Sequence, residues 1–140
     1  MTISFDVIGT PAPQGSKSFM GMSKKGHAIL VESCVKVKPW RLDVAALALK
    51  ARLANGGHIF DGPVNLRVEF RMPRPKSLPK KVIHHTKKPD CSKLLRSTED
   101  ALVTAQIISD DSIIVSFDGT VKRYALPEES TGAFIEITDV

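Results

Sequence analysis

A strict alternation of apolar and polar side chains over residues 64–72 constrains the fold of this chain more than any other feature. The apolar positions are Val64, Leu66, Val68 and Phe70, and the polar ones are Asn65, Arg67, Glu69 and Arg71. Because successive side chains of a strand point to opposite faces, this pattern predicts a strand with one buried face, ended by Pro73. At 140 residues the chain is long enough for one domain with a real core.

The remaining segments complete a predicted α+β fold. Thr2–Ile8 alternates as a strand does, and residues 113–124 and 133–138 are predicted as two more strands. Pro39 suits the first residue of a helix, which ends at the glycines after Asn55. A second helix is expected over residues 91–105. A small mixed sheet with two main helices packed on it, an α/β layer, is the economical arrangement.

Two basic segments interrupt these elements. Residues 15–28 are rich in lysine and glycine, and residues 73–89 are rich in proline and lysine. We expect both to be flexible surface segments of a single domain that covers residues 1–140. The chain carries 20 Lys and Arg against 15 Asp and Glu, a net charge of +5, which suits a polyanionic partner.

Several protein classes are disfavoured. Two cysteines do not form a disulfide framework, and the first residues lack the pattern of a signal peptide, so we expect a cytoplasmic protein without a membrane segment. Cys91 near His84 and His85 suggests zinc, but a packed thiol is favoured because there is no second cysteine pair.

Trp40 and Phe60 are expected in the core. Base stacking is the less favoured reading of Phe19, and no helix-turn-helix pattern is present.

The acidic residues around the second helix indicate chemistry on phosphates. Asp90 precedes the helix, and Asp110 and Asp111 follow it. Hydrolysis of a phosphodiester requires hard divalent cations, and Mg²⁺ prefers carboxylate oxygens. The helix between these acids spans about 20 Å. Whether they meet depends on tertiary packing or on a second subunit, and spacing alone leaves that open.

These residues resemble the core signature of RusA-like Holliday junction resolvases. That signature is a basic-Pro-Asp-x-Asp-x-Leu entrance, a helix with Asp-Ala-Leu, and an Asp-Asp pair that opens a strand. The chain has KPDCSKL at residues 88–94, DAL at 100–102 and DDSII at 110–114. Fainter similarity covers residues 62–73, and the segments at 15–17 and 38–41 are similar to phage-borne members.

The resemblance implies a structure-specific endodeoxyribonuclease that resolves branched DNA in recombination, repair or phage DNA processing. It implies Mg²⁺, with Mn²⁺ as a substitute, and no small-molecule cofactor. It also implies a homodimer that makes paired nicks in four-way junctions, in a bacterial or phage-infected cell. The implied catalytic residues are Asp90, Asp111 and Arg96. The implied metal-binding residues are Asp90, Asp111, Asp110 and Ser92.

Ser92 stands where the family has its second entrance Asp, and a neutral hydroxyl is a poorer ligand for Mg²⁺. Asp110, Asp100 or Glu69 could supply the missing charge, or one metal could be held with more water. The alternative function is a catalytically weak or inactive protein that binds branched DNA. Arg96 replaces the more usual Lys; it can stabilise a phosphate but cannot donate a proton at neutral pH.

Some of these residues also have purely structural readings. Asp90 or Ser92 could cap the helix, Asp110 could be a turn residue, and Asp100 could pair with Arg96 on an exposed face. The lysines expected to hold DNA are Lys17, Lys76, Lys87, Lys88 and Lys93.

Overall fold

The alternating segment forms the central strand of a five-stranded sheet. The computed structural model describes residues 1–15, 17–32 and 35–140, with residues 17–20 and 28–32 described by their backbone alone. The strands are β1 (Thr2–Ile8), β2 (Lys17–Met22), β3 (Ala28–Glu32), β4 (Val64–Met72), β5 (Ile114–Ser116), β6 (Val121–Tyr124) and β7 (Gly132–Asp139). The helices are α1 (Val37–Ala54) and α2 (Cys91–Thr104), with a short 3-10 helix over Asp111–Ile113.

The sheet is mixed, as predicted. Its order is β1-β7-β4-β5, and β6 pairs with β4 beyond β5 along the same edge. β7 is antiparallel to both β1 and β4, whereas β5 and β6 are parallel to β4. Strands β2 and β3 form a separate antiparallel pair, which begins in the basic segment at residues 15–28 and extends beyond it.

The single strand predicted over residues 113–124 is wrong, because a turn at Asp118 and Gly119 divides it into β5 and β6. The side chain of Asn65 holds this turn: its Oδ1 accepts from the Asp118 amide at 2.8 Å, and its Nδ2 donates to the Asp118 carbonyl at 3.2 Å. Gly119 has a φ of +85°, which glycine adopts without strain. The alternation of apolar residues continues across the turn, so the pattern concealed it.

Both helices pack on the sheet, as predicted, and their buried residues form one core with those of the strands. Trp40 of α1 is 1% exposed, and its indole Nε1 donates to the Thr98 hydroxyl of α2 at 3.3 Å. Phe60 is equally buried, so both aromatic residues lie in the core as expected. α1 begins at Val37, two residues before the predicted start at Pro39. Pro39 therefore lies within the first turn, where its missing N–H has no helical partner to lose.

Arg71 was predicted on the exposed face, and this is wrong: its residue is only 7% exposed. Its guanidinium donates two hydrogen bonds to Asp6, at 2.8 and 3.0 Å, and a third to the Ser130 carbonyl at 2.9 Å. The loop that leads into β7 thus covers this end of the sheet, and the arginine is buried with its partners.

The predicted loop at residues 73–89 contains turns and a cis peptide bond between Lys88 and Pro89. Arg74 organises it by donating to the carbonyls of Val82, at 2.7 Å, and Pro79. Across the described ranges, no helix combines the length and apolar character that a membrane crossing requires.

Candidate active site

The side chain of Asp90 stands free of the capping bond that its position would allow. Asp90 is the N-cap residue of α2, in an extended conformation, yet its carboxylate makes no capping hydrogen bond. Its side chain is 59% exposed and lies 4.0 Å from the Lys93 ammonium. Ser92 is the second residue of the helix and is not its cap. The capping alternative therefore fails for both side chains, and the Asp90 carboxylate is accessible to a ligand.

Lys122 of β6 fixes the backbone that leads into Asp90. Its ammonium donates to the carbonyls of Lys87 and Pro89, both at 2.8 Å. This residue was missed by the sequence reasoning, because its place in an ordinary alternating strand gives no signal of a contact more than thirty residues away. The clamp ties the entrance of α2 to the edge of the sheet.

Asp90 opens onto a cavity of about 510 Å³, which we call the Asp90 cavity. Its walls are the 10–13 loop, Met72, Pro73, His85 and residues 88–90. Lys36 and Lys93 complete the lining. Burial, reinforced by the charge of Lys122, lowers the pKa of His85, so its imidazole is neutral at pH 7. The cavity thus combines apolar walls with several cationic groups.

The second acidic group lies beyond the other end of α2. Asp110 caps the short 3-10 helix, because its carboxylate accepts from the backbone N–H of Ser112 at 3.1 Å and from the Ser112 hydroxyl. These bonds lower the pKa of Asp110. Its expected turn role is therefore present. The neighbouring Asp111 carboxylate accepts no hydrogen bond and forms no ion pair with any described residue.

Glu99 lies close to Asp111 and was not among the expected site residues. Burial, and then repulsion by Asp111 and Asp100, raises the pKa of Glu99 to about 7, although Arg96 opposes the rise. Glu99 follows Ser92 by seven residues on α2, a spacing that returns to the same helix face. That spacing was the available signal. Carboxylates thus gather where Asp111 meets α2.

Asp100 does not pair with Arg96, so that expectation is wrong. It accepts a hydrogen bond from Gln14 and lies 3.9 Å from the Arg41 guanidinium, which also donates to Gln14 at 2.8 Å. Asp100 and Asp111 line a second cavity of about 580 Å³, the Asp111 cavity, together with Lys38 and Arg41. The cations of α1 reach Asp100 because the two helices pack side by side.

Arg96 extends over the loop that precedes β2. A Cβ at Gly15 would lie 2.7 Å from its Nη1, and Gly15 has a φ of +106°, so only glycine suits this position. The loop is fastened to α2 by the Ser97 hydroxyl, which donates to the Ala12 carbonyl at 2.6 Å, and by the Gln14 amide, which donates to the Lys93 carbonyl at 3.0 Å. Arg96 thus lies on an exposed ridge beside the loop.

The described chain does not bring Asp90 and Asp111 together. Each lines its own cavity, and no three His, Cys, Asp or Glu side chains converge on one point in the described residues. Glu69 cannot supply the missing charge, because it is paired with Arg123 at 2.8 Å. The thiol of Cys91 is partly buried against the core, and burial raises its pKa, as suits a packed thiol.

The expected DNA-binding lysines divide into separate places. Lys88 and Lys93 line the Asp90 cavity, whereas Lys76 lines a third cavity with Arg74 and Lys80. Lys87 contributes a carbonyl to the Lys122 clamp. The side chain of Lys17 lies outside the described residues, as do that of Phe19, Ser16 and Cys34.

Comparison with known proteins gives one family. The model for the family described as endodeoxyribonuclease RusA matches residues 9–138 of the 140. No curated protein matches the sequence. The matched range includes both cavities, Asp90, Arg96 and Asp111.

Proposed function

Because the chain belongs to the RusA endodeoxyribonuclease family, we propose that it resolves Holliday junctions by paired, Mg²⁺-dependent nicking of two strands. The chain is an endodeoxyribonuclease, a hydrolase that acts on DNA, and its family acts on branched DNA junctions. The observation that supports the site best is the exposed, uncapped carboxylate of Asp90 beside Lys93 at the start of α2. Such a protein would work on DNA in the cytoplasm of a bacterial or phage-infected cell.

The proposed roles follow the charges of the side chains. Asp90 and Asp111 would bind the cation, with Asp110 and Ser92 as further oxygen ligands. Arg96 remains charged at every relevant pH, so it would stabilise the negative charge that develops on the attacked phosphate. Lys88 and Lys93 would hold the strand beside Asp90. Lys17, Lys76 and Lys87 would contact phosphates farther along the arms.

The described residues fit a divalent cation only in part. Asp111 and Asp100 repel the carboxylate of Glu99, and a hard cation bound beside Glu99 would relieve that repulsion, although no three such side chains converge on one point in the described residues. Asp90 lies in the other cavity, however, and Asp110 is engaged with Ser112. One chain in this conformation does not assemble the whole ligand set.

A homodimer would supply a second copy of each carboxylate. If Asp90 of one chain acts with Asp111 of its partner, a mixture of Asp90→Asn and Asp111→Asn chains contains one intact site per mixed dimer. If both carboxylates act within one chain, every site in that mixture is damaged. Recovery of nicking on mixing therefore indicates shared sites, and no recovery, with mixed dimers verified by mass, contradicts them.

The nuclease proposal is tested by incubating a labelled four-way junction with the wild type in Mg²⁺ or Mn²⁺. We expect symmetric paired nicks, which Asp90→Asn abolishes. The control is Glu128→Gln, which removes one exposed carboxylate outside both cavities and should cut normally. Junction binding without cleavage in either metal would overturn the proposal and favour a protein that only binds branched DNA.

The variant Ser92→Asp tests whether the serine lowers the nicking rate. It restores the second entrance carboxylate on an exposed position of α2, where folding should be unaffected. A large gain in nicking rate would show that the natural site lacks charge. An unchanged rate would show that another group, such as Glu99, already supplies it.

A further inference from the structure

The Asp90 cavity has walls of a kind that phosphate binding does not need. Pro11, Pro13, Pro73 and Pro89 line it, together with Met72, which is 2% exposed. Proline rings are apolar and have no N–H, so these walls favour a flat apolar body over an ion. At about 510 Å³ the cavity lies within the range that accommodates small ligands.

Besides the carboxylate of Asp90, the cavity is lined by three cationic side chains that come from three different segments. Lys36 precedes α1, Lys88 lies in the loop before α2, and Lys93 lies in its first turn. A purely apolar ligand would make no favourable interaction with these cations. A phosphate ion alone would make no favourable contact with the apolar walls. A ring with an apolar face and a phosphate on either side along its chain would match both the apolar walls and the cations.

Polar groups at the cavity give its occupant an orientation. Thr10 offers a hydroxyl, and His85 lines the cavity with an imidazole ring whose Nδ1 is buried. Nucleobase edges carry donors and acceptors of the same kinds. Asp90 opens onto the same cavity, so whatever binds there lies beside the proposed catalytic carboxylate.

We propose that the Asp90 cavity receives one unpaired nucleobase from the junction strand, with Lys36, Lys88 and Lys93 on the flanking phosphates. This inference rests on the proposed function for its substrate. Unstacking a base costs a few kcal/mol and costs least where stacking is already interrupted, as at the point where strands exchange. Capture of that base would set which phosphodiester lies next to Asp90, so the cavity would determine where the cut falls.

The test uses junctions that carry the fluorescent base analogue 2-aminopurine, which brightens when it leaves the stack. One junction has it at the strand exchange and a second has it within an arm, both in EDTA so that no strand is cut. Thr10→Met fills the cavity from an exposed residue, and Thr2→Met makes the same change on β1, away from both cavities. We expect the wild type and Thr2→Met to brighten the exchange-point junction several-fold, and Thr10→Met to lose most of that rise.

The junction affinity of Thr10→Met should change little, because the cost of unstacking offsets much of what the cavity gains. An equal rise for Thr10→Met and the wild type, or equal rises at the exchange point and in the arm, would overturn the inference. Mg²⁺ is then added to the same complexes. Brightening without nicks would contradict the nuclease proposal alone, whereas nicks without brightening would contradict the cavity alone.

A second measurement separates the base from its phosphate. Deoxycytidine monophosphate and deoxyribose phosphate are each titrated into the protein at millimolar concentration and followed by amide chemical shifts. We expect the nucleotide to shift the amides of Thr10, Ala12 and Lys93, and the sugar phosphate to leave the first two unmoved. Equal shifts from both would make the cavity a phosphate site, and no shifts from either would also reject it.

Discussion

The acidic residues at one end of the sheet and those near α2 have different electrostatic surroundings. At the end of the sheet, two carboxylates face guanidinium groups: Asp6 pairs with Arg71 at 2.8 Å, and Glu129, in the loop before β7, pairs with Arg123 at 2.6 Å. The hydrogen bond from Arg123 lowers the pKa of Glu129 to about 2, so this carboxylate stays ionised in any ordinary buffer. Charge in this region is matched and holds strands and loops together.

On α2, by contrast, the carboxylate of Glu99 faces two other negative charges. Repulsion by Asp111 and Asp100 adds to burial in raising the pKa of Glu99 to about 7, and the carboxylate of Asp111 has no partner in the described parts of the chain. Such an arrangement disfavours folding, and perturbed carboxylates of this kind concentrate at functional sites. We therefore propose that the paired acids at the sheet stabilise the fold, whereas the acids near α2 act in the reaction.

The largest effect is expected for Asp111→Asn. We expect the nicking rate to fall about 10³-fold, equivalent to about 4 kcal/mol, because a proposed ligand of the activating cation is lost. The thermal midpoint should stay level or rise, because repulsion of Glu99 is removed. Single-turnover cleavage and thermal unfolding of the same preparation measure both. A fall in both rate and stability would place Asp111 with the structural acids.

The corresponding change among the paired acids of the sheet is Asp6→Ala. It leaves the Arg71 guanidinium, in a residue 7% exposed, without its bidentate partner, so we expect a loss of about 2–3 kcal/mol in the free energy of unfolding. The nicking rate of the folded fraction should be unchanged. Urea denaturation measures the stability, and active protein is counted by junction binding. A loss below about 0.5 kcal/mol would show that solvent at Asp6 replaces the pair.

Much of the fold could be predicted because local patterns dictate it. Alternation marks β1, β4 and β7, and helical spacing bounded by Pro39 and Asn55 marks α1. The errors have a tertiary cause. Arg71 is polar in the pattern but buried by a loop from a distant part of the chain, and the turn at Gly119 depends on the side chain of Asn65.

The candidate site divides in the same way. Asp90 and Asp110 could be placed at element ends because helix starts have local signals. The Lys122 clamp and the link from Gln14 to Asp100 join residues far apart in sequence, and periodicity carries no information on such contacts. The separation of Asp90 from Asp111 was left open by spacing, and only the packing of α2 decides it within one chain.

The raised pKa of Glu99 should make the stability of the protein depend on pH. Its pKa is about 7 in the folded protein against about 4.5 in the unfolded chain, so the folded state holds more protons between these values. Stability should therefore fall as pH rises from 4.5 to 7, and the deficit should persist above 7. Glu99→Gln removes this dependence and should raise the free energy of unfolding at pH 8 by about 1–2 kcal/mol, discounted for partial exposure.

The control for Glu99→Gln is Glu128→Gln, which removes an exposed carboxylate of the loop before β7 that is not among the acids near α2, and it should leave the pH profile as it is. Urea denaturation from pH 4 to pH 8 gives the profiles. If both variants show the same dependence of stability on pH as the wild type, Glu99 is solvated. The acids near α2 then do not lower the stability of the fold.

The smallest effect on activity and binding is expected for two lysines of the 73–89 loop, Lys76 and Lys88. Lys76 lines a cavity apart from Asp90, whereas Lys88 lines the Asp90 cavity. Each Lys→Ala change should weaken junction binding about threefold and reduce the slope of log affinity against log salt by about 1, because one phosphate contact is lost. Only Lys88→Ala should also slow nicking of bound junction, since its charge lies beside Asp90. Equal nicking rates at saturating protein would mean that Lys88, like Lys76, only attracts the DNA, and the functional acids would then act without cationic help from this loop.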